Sequence, residues 1–326
     1  MAAVVAFFKK LGANRYALPV LLAAGFVLSL VIPQFGLLNG YVQFVLIMIG
    51  INIILSASLN LVNGYMGEFS VGHAGFMSLG AYASSVLTVK LLPDLPDAFF
   101  FLPVIVGGLV AALAGFLLAL LSFKTRGDYL AIITLAFLMI VKSALENIPY
   151  VGGPRGMLGI PKLTTMAWAF FWVVVTIWVL RNLLYSKFGR AIAAIREDEI
   201  AANSMGVRVR EAKILAFSVS SFFAGVAGAL FAHLLVFINP SSFDILKSTE
   251  MLVMVYLGGI GSLAGSIIGA VIYTLLSNWL QPLGTWRMVI MPLILVLLML
   301  FRPKGIMGFR ELPWFLPKRE ARRKDS

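Results

Sequence analysis

The charged residues that could act on another molecule are concentrated in one interval, residues 189–213, of an otherwise mostly apolar chain. Nine of them lie there: Arg190, Arg196, Glu197, Asp198, Glu199, Arg208, Arg210, Glu211 and Lys213. Side chains of both signs in one segment can form charge-assisted hydrogen bonds with another protein. This composition favours a protein-docking surface within a polar loop, which we place at residues 185–213.

An amphipathic pattern supports the docking interpretation. Ile192, Ile195 and Ala202 share one face of a predicted helix over about residues 189–205, which ends at Gly206. The loop also contains the pattern E-x-A-A-x-x-x-G, whose small residues let a partner surface approach closely. The residues predicted to couple the chain to a partner are Arg196, Glu197, Glu199, Ala201, Ala202 and Gly206. A solvated loop helix without a partner is the alternative.

Several kinds of chemistry are excluded by what the sequence lacks. Without cysteine there is no disulfide, thiol nucleophile or thiolate metal site. The two histidines, His73 and His233, are far apart in sequence, so we expect no metal site and no other cofactor. No G-x-x-x-x-G-K-[ST] phosphate loop occurs, and we expect any ATP to be bound by a separate subunit.

A second group of polar residues lies inside the apolar spans, where glycines interrupt residues 60–80. A broken or re-entrant helix at membrane depth is tolerated only where it is buried in protein or lines a wet cavity. We therefore predict a translocation path beside it. The candidate path residues are Asn60, Gly64, Glu68, Ser70, Gly72 and His73. The alternatives place Glu68 at the cytoplasmic interface and His73 in helix packing.

Long apolar segments must position these residues. Of the 326 residues, 60% are hydrophobic and 12% charged, against roughly 25% charged in a soluble domain. Several runs reach the roughly 20 apolar residues that cross a bilayer. The sequence predicts an all-α polytopic membrane protein with a single domain, residues 1–326, and about eight to ten transmembrane helices. The predicted spans are residues 16–32, 40–62, 63–89, 99–123, 129–148, 165–184, 214–238, 251–280 and 288–301.

Two regions of this assignment leave alternatives open. Residues 251–280 are long for one crossing and contain a glycine break, so they form either one tilted helix or two crossings, which would make ten. Residues 239–250 form a polar link that can hold a short surface helix. Lys142 and Glu146 stand one helical turn apart and can form an ion pair. A stripe for close helix packing, within this chain or with a partner, is predicted at Gly261, Gly265 and Gly269.

The basic residues predict an orientation. Twenty of the 26 Lys and Arg residues fall at the N-terminus and in residues 124–126, 181–213 and 302–326. Cytoplasmic segments of membrane proteins carry such an excess. We therefore predict that both termini and the loop are cytoplasmic, and that residues 302–326 form a basic cytoplasmic tail. Membrane topology explains the net charge of +12, and we expect no nucleic-acid partner.

Four longer stretches are distinctive: GRAIAAIREDEIAANSMGVRVREAKILAF (189–217), LNLVNGYMGEFSVGHAGFMSLGAYAS (59–84), VGGPRGMLGIP (151–161) and LGGIGSLAGSIIGA (257–270), the last followed by FRPKGIMG (301–308). They resemble the branched-chain amino acid permease family of ABC importers, especially its M-type (LivM-like) subunits. They span most of the chain in the order that the family has. Many members of the family have Gln where this chain has Glu68.

The resemblance implies the ABC importer permease architecture and the transport of branched-chain or related amino acids across a bacterial inner membrane. It also implies two ATP-binding cassette ATPase subunits that act through the polar loop, a second, LivH-like permease subunit and a periplasmic or external substrate-binding protein. Three alternatives remain: a permease for urea or short amides, an ATP-independent secondary transporter and a membrane enzyme. The last predicts a cluster of catalytic polar residues, which the sequence does not contain.

Overall fold

The computed structural model describes residues 39–93, 96–123, 129–284, 286–301 and 305–308, together with residues 25, 29 and 311. Within these residues the chain forms eleven α-helices and no β-strand, apart from one antiparallel bridge between Met157 and Ile238. The predicted span at residues 16–32 lies outside the described residues except for Gly25 and Ser29. Most of the predicted tail, residues 302–326, lies outside them as well.

The helices that the structure describes follow the apolar segments of the sequence. They are α1 (Gly40–Asn60), α2 (His73–Val86), α3 (Phe101–Ser122), α4 (Tyr129–Asn147), α5 (Met166–Tyr185), α6 (Lys187–Glu197), α7 (Glu199–Ser204), α8 (Val209–Leu235), α9 (Ile245–Gly258), α10 (Leu263–Trp279) and α11 (Trp286–Phe301). A π-helical segment, Leu61–Met66, continues α1, and the break expected within residues 60–80 falls at residues 67–72.

Five helices in the described part are long and apolar enough to cross a membrane. They cover Gly40–Met66, Asp97–Ser122, Tyr129–Asn147, Met166–Tyr185 and Val209–Leu235. The predicted all-α polytopic membrane protein is thereby confirmed. The remaining helices of the bundle, α2, α9, α10 and α11, have 14 to 17 residues, so the total of eight to ten crossings stays a prediction.

Helices α1 and α8 form the centre of the bundle. In an apolar 18-residue stretch of each helix, 78% of α1 with its extension and 72% of α8 are buried, whereas the corresponding share for α3, α4 and α5 is 22% to 33%. Helix α8 packs against α1, α2 and α3, and α1 also packs against α5 and α10. The outer helices therefore leave apolar faces to lipid or to another subunit.

Glycines allow α2, α3 and α8 to approach backbone to backbone. A Cβ atom at Gly80 would collide with the backbone of Gly225, one at Gly225 with the carbonyl of Gly107, and one at Gly107 with the carbonyl of Gly80. Small residues favour such contacts in membranes, where close van der Waals packing drives helix association. The three helices are consequently packed closely around this point.

The two ends of the bundle can be told apart by their contacts. We call the end that carries α6 and α7 the loop side and the opposite end the far side. At the loop side Lys213, near the start of α8, contacts Glu68 in the α1–α2 connection. At the far side Thr88 lies 3.0 Å from the imidazole Nε2 of His233, near the end of α8. Both α2 and α8 therefore run from the loop side to the far side.

Residues 251–280, which the sequence left open, contain two helices. Helix α9 ends at Gly258 and α10 begins at Leu263, and the two pack against each other. The turn between them contains Gly259 and Gly261 at φ of 129° and 72°, which other residues rarely adopt. The turn lies at the loop side, because the Gly261 amide donates to Asn60. The single tilted helix was the wrong alternative.

Only the first part of residues 239–250 lies at the surface, where a short 3₁₀ helix, Pro240–Ser242, leaves Ser241 and Ser242 exposed. The segment after α8 folds back into the far half of the bundle, where the buried Phe243 ring contacts Tyr82 and Phe231. Helix α9 then starts at Ile245, capped by Asp244, whose carboxylate accepts from the amides of Leu246 and Lys247. The polar residues of the second part, Lys247 to Glu250, therefore belong to the first turns of a helix of the bundle.

Candidate functional site

The polar loop contains two short helices where the sequence analysis predicted one over residues 189–205. Helix α6 begins at Lys187. The hydroxyl of the preceding residue, Ser186, accepts hydrogen bonds from the backbone amides of Phe188 and Gly189. The helix breaks at Asp198, which has an extended backbone (φ −159°, ψ 111°). The Asp198 carboxylate accepts from the amides of Ile200 and Ala201 at 2.8 and 2.9 Å. Aspartate favours this capping role over a helix interior, and so it starts α7.

The predicted apolar face of the loop is buried against the bundle. Ile192, Ile195 and Ala202 are each no more than 5% exposed. Gly206 ends α7 as predicted, with a φ of 83°. The opposite surface exposes two large apolar side chains that the sequence analysis did not select, Ile200 at 81% and Met205 at 86%. The sequence signal that could have pointed to them is the capping residue Asp198, which marks the start of a separate short helix.

Lys213 joins the loop to the α1–α2 connection. Its Nζ lies 2.7 Å from Glu199 Oε2 and 2.6 Å from Glu68 Oε1. The Lys213 side chain is 7% exposed, whereas those of Glu68 and Glu199 are 21% and 55% exposed. The ammonium also lies over the Phe123 ring at the end of α3. One buried cation therefore holds two carboxylates from separate elements, and it supplies the counter-charge for the acidic residue at position 68.

Arg196 makes a second connection between the loop and the same region. Its guanidinium donates to the Gly64 carbonyl at 3.1 Å, and its aliphatic part contacts Gly67. Arg196 and Glu199 thus both bind groups of the bundle, although the Glu199 side chain is still 55% exposed. Of the other predicted coupling residues, Ala202 is buried, and Glu197, Ala201 and Gly206 are exposed.

The predicted path residues lie close together in the chain, and the hydrogen bonds of their polar members go to other residues of this connection and of neighbouring helices. Asn60 is fully buried; its amide donates to the Ser262 carbonyl and the Ser266 hydroxyl, and its oxygen accepts from Gly261. His73 Nε2 lies 2.9 Å from the Ser58 hydroxyl oxygen. Their role in translocation stays a prediction, and this geometry favours packing for both.

The remaining path residues occupy the same tight connection. The backbone amide of Ser70 donates to the side-chain oxygen of Asn63, and the side-chain amide of Asn63 donates to the Ser70 carbonyl. A Cβ atom at Gly64 would collide with Asn60 and Gly261, and one at Gly72 with the Thr134 backbone. These glycines therefore permit close approach of backbones.

The predicted glycine stripe packs within the chain. Gly265 and Gly269 lie on α10 against the backbone of α9 at Gly258 and Met254. Gly261 lies before the helix begins, in the turn, and so it is not part of the stripe. Lys142 and Glu146, both described, form no ion pair with each other.

An ion pair inside the bundle occurs elsewhere, beside a cavity in the far half between α1, α9 and α10. Lys247 Nζ lies 2.9 Å from Glu250 Oε2, with side chains 15% and 25% exposed. The cavity has a volume of about 220 Å³. Its lining consists of Tyr41, Phe44, Met48, Asn52, Lys247, Glu250, Tyr273, Thr274, Ser277, Asn278 and Gln281.

The fold and these sites define a multi-pass membrane protein with a structured polar loop on one side and a polar cavity towards the other. The chain belongs to the family described as "Branched-chain amino acid transport system / permease component", whose sequence model matches residues 41–301. It is a permease subunit of the ABC importer type, in a family of transporters and not of enzymes.

Named relatives agree with this assignment. The chain is 35% identical to "High-affinity branched-chain amino acid transport system permease protein LivM" of Escherichia coli (strain K12), covering 79% of this chain and 68% of the relative. It is 25% identical to a probable LivM permease of Methanocaldococcus jannaschii (72% and 79% covered). It is also 25% identical to the E. coli permease LivH (79% and 92% covered). No solved structure matches the chain significantly.

Proposed function

We propose that the chain carries branched-chain amino acids across a bacterial inner membrane, driven by separate ATPase subunits that dock on α6 and α7. The substrate class follows the printed names of the relatives, which are branched-chain amino acid permeases. The observation that carries the coupling role is the exposed apolar pair, Ile200 and Met205, on a helix pair fastened to the bundle.

Four partners are part of this proposal. Two ATPase subunits supply ATP chemistry, for which the sequence of this chain has no phosphate loop. A second permease of the LivH kind completes the membrane unit; similarity of the chain to both LivM and LivH supports a pair of related subunits. An external binding protein delivers the amino acid. Lipid covers the exposed faces of α3, α4 and α5.

The loop would transmit the movement of an ATPase through its two polar connections. Glu199 and Lys213 link α7 to the start of α8, and Arg196 links α6 to Gly64 within the α1 extension. A displacement of the helix pair would therefore shift two central elements together. ATP binding can favour one arrangement only if the ATPase contacts the two arrangements differently, and Ile200 and Met205 supply such a contact.

The orientation is part of the same proposal. The loop side faces the cytoplasm, because the basic residues that flank the spans are concentrated in the loop and at both termini. The chain termini are then cytoplasmic as well. The cavity beside Lys247 lies towards the outside, where a binding protein would arrive.

Uptake by the reconstituted complex tests the proposal. The chain, a LivH-like permease and two ATPase subunits are placed in proteoliposomes with ATP enclosed, and radiolabelled leucine is added with the binding protein. We expect leucine uptake that requires both ATP and the binding protein. Uptake driven by an ion gradient without ATP, or uptake of urea or acetamide in place of leucine, would contradict the proposal.

A further inference from the structure

The cavity in the far half presents charges of both signs inside the bundle. Lys247 and Glu250 stand one turn apart on α9 and pair at 2.9 Å, while the Lys247 ammonium also lies 5.6 Å from the centre of the Phe231 ring. Ionisable side chains inside a membrane protein are costly, and they mark pathways for polar solutes. Because charges of both signs line one cavity, it suits a ligand that also carries one charge of each sign.

Asn52 adds an acceptor to the same cavity. Its side chain is 3% exposed, and its Nδ2 donates to the Thr274 hydroxyl oxygen at 2.8 Å. The Thr274 hydroxyl in turn donates to the Ala270 carbonyl. The Asn52 Oδ1 atom has no hydrogen-bond partner among the described residues. Buried polar atoms are nearly always satisfied, so this oxygen is available to a donor on a ligand.

The wall formed by α1 is partly apolar. Phe44 and Met48 lie one turn apart on α1 and line the cavity together with the charged residues of α9. Binding sites for small molecules combine such apolar surface with a few polar groups that fix orientation. A volume of about 220 Å³ suits a ligand of the size of one amino acid.

We propose that this cavity binds the zwitterion of an apolar α-amino acid during its passage. The α-ammonium group lies against Glu250 and the Asn52 Oδ1 atom, the α-carboxylate accepts from Lys247, and the side chain rests on Phe44 and Met48. The choice of an amino acid as ligand rests on the proposed function. The charge pattern adds that the main-chain zwitterion is recognised here, and that ligands lacking one of its charges are rejected.

Photolabelling of the reconstituted complex tests the cavity directly. The probe is a leucine analogue with a diazirine in its side chain, and labelled peptides are mapped by mass spectrometry. We expect label on peptides that contain Phe44 and Met48, with leucine competing at least tenfold better than leucine amide or its 2-oxo acid. Label confined to other segments, or equal competition by all three compounds, would overturn the assignment.

Matched variants separate ligand binding from folding. Glu250→Gln and Lys247→Met should each reduce labelling at least tenfold, and the double exchange Lys247→Glu with Glu250→Lys should restore part of it. Lys142→Met and Glu146→Gln, which alter ionisable residues that do not pair, should leave labelling unchanged. Full labelling in Glu250→Gln would refute the cavity site while wild-type uptake still supports the proposed function. Absence of leucine uptake by the wild type would instead refute the proposed function and the ligand assigned here.

Discussion

Lys213 and Glu199 form an ion pair of 2.7 Å that connects the polar loop to the central helix α8. The same ammonium lies 2.6 Å from Glu68, so the pair extends to the connection between α1 and α2. Because the lysine is almost buried and both acids are partly exposed, the cation is the common element of the cluster. Its removal would place two carboxylates beside each other without a counter-charge.

The first prediction concerns this cation. Lys213→Met should lower the stability of the detergent-solubilised complex by about 1–3 kcal/mol, less than the roughly 3–5 kcal/mol for breaking a fully buried pair, because Glu199 meets solvent. Thermal melting followed by size-exclusion chromatography measures the change. Glu68→Gln is the matched control and should change stability by less than about 1 kcal/mol, because Lys213 retains its ion pair with Glu199. A larger loss in the control than in Lys213→Met would contradict this account of the cluster.

The second prediction concerns the exposed end of the loop. Ile200→Asp and Met205→Asp should each weaken binding of the ATPase subunits by about tenfold or more, since apolar anchors at the centre of an interface contribute most of its affinity. Pull-down of the ATPase from solubilised membranes measures this. Asn203→Asp, which adds the same charge on the exposed surface of α7, should bind nearly as well as the wild type. Equal loss in all three variants would point to non-specific repulsion.

The third prediction distinguishes direct from indirect effects in the loop. Glu199→Arg should reduce transport because an arginine would repel Lys213 and displace α7, not because a contact to the ATPase is lost. Glu197→Arg reverses the charge of an exposed neighbour, whose side chain is 79% exposed, and should have a smaller effect on transport. Leucine uptake per complex compares the two. A greater loss with Glu197→Arg would show that the exposed acid is the one that couples.

The fourth prediction concerns packing at the centre. Gly225→Leu should destabilise the bundle by more than about 3 kcal/mol, because its side chain would collide with Gly107 and Ala111. The yield of monodisperse protein should fall sharply. Gly40→Leu is the control, since no atom lies within 4 Å of a Cβ there. Normal yield of Gly225→Leu would mean that α3 and α8 can separate without loss of the fold.

The fifth prediction concerns Glu311, whose carboxylate accepts from the amides of Leu263 and Ala264 at 2.9 Å and so caps α10. Glu311→Ala should cost about 1 kcal/mol at this helix end and speed hydrogen exchange of those two amides. Mass spectrometry of the peptide that contains them measures the rate. Tyr65→Phe removes a hydrogen bond to Glu311 but not the cap, and it should leave the exchange rate unchanged.

Local features explain why much of the architecture could be predicted. Apolar length and helical periodicity depend only on neighbours in sequence, so α3, α4 and α5 lie close to their predicted spans. The same holds for the buried face of the loop at Ile192 and Ile195. The break at Asp198 was also within reach, because a capping aspartate is a local signal, but the uninterrupted periodicity around it favoured one helix.

Tertiary contacts account for what was missed. From the sequence alone, Glu199 is predicted to be an exposed docking residue. Only the fold shows that α8 places Lys213 beside it. Lys247 and Glu250 read as part of a surface link, because only the fold shows that the segment after α8 turns back into the bundle.

The sequence by itself determined a helical membrane protein of this permease family, with a charged loop between its spans. Hydropathy and motifs depend only on residues that are close in sequence, so they can be recognised without the fold. The tertiary structure decided which charges of the loop face inward and where a polar cavity lies. Charge partners such as Lys213 and Glu68 are 145 residues apart, and the free energy of burying a charge depends on which distant group arrives beside it.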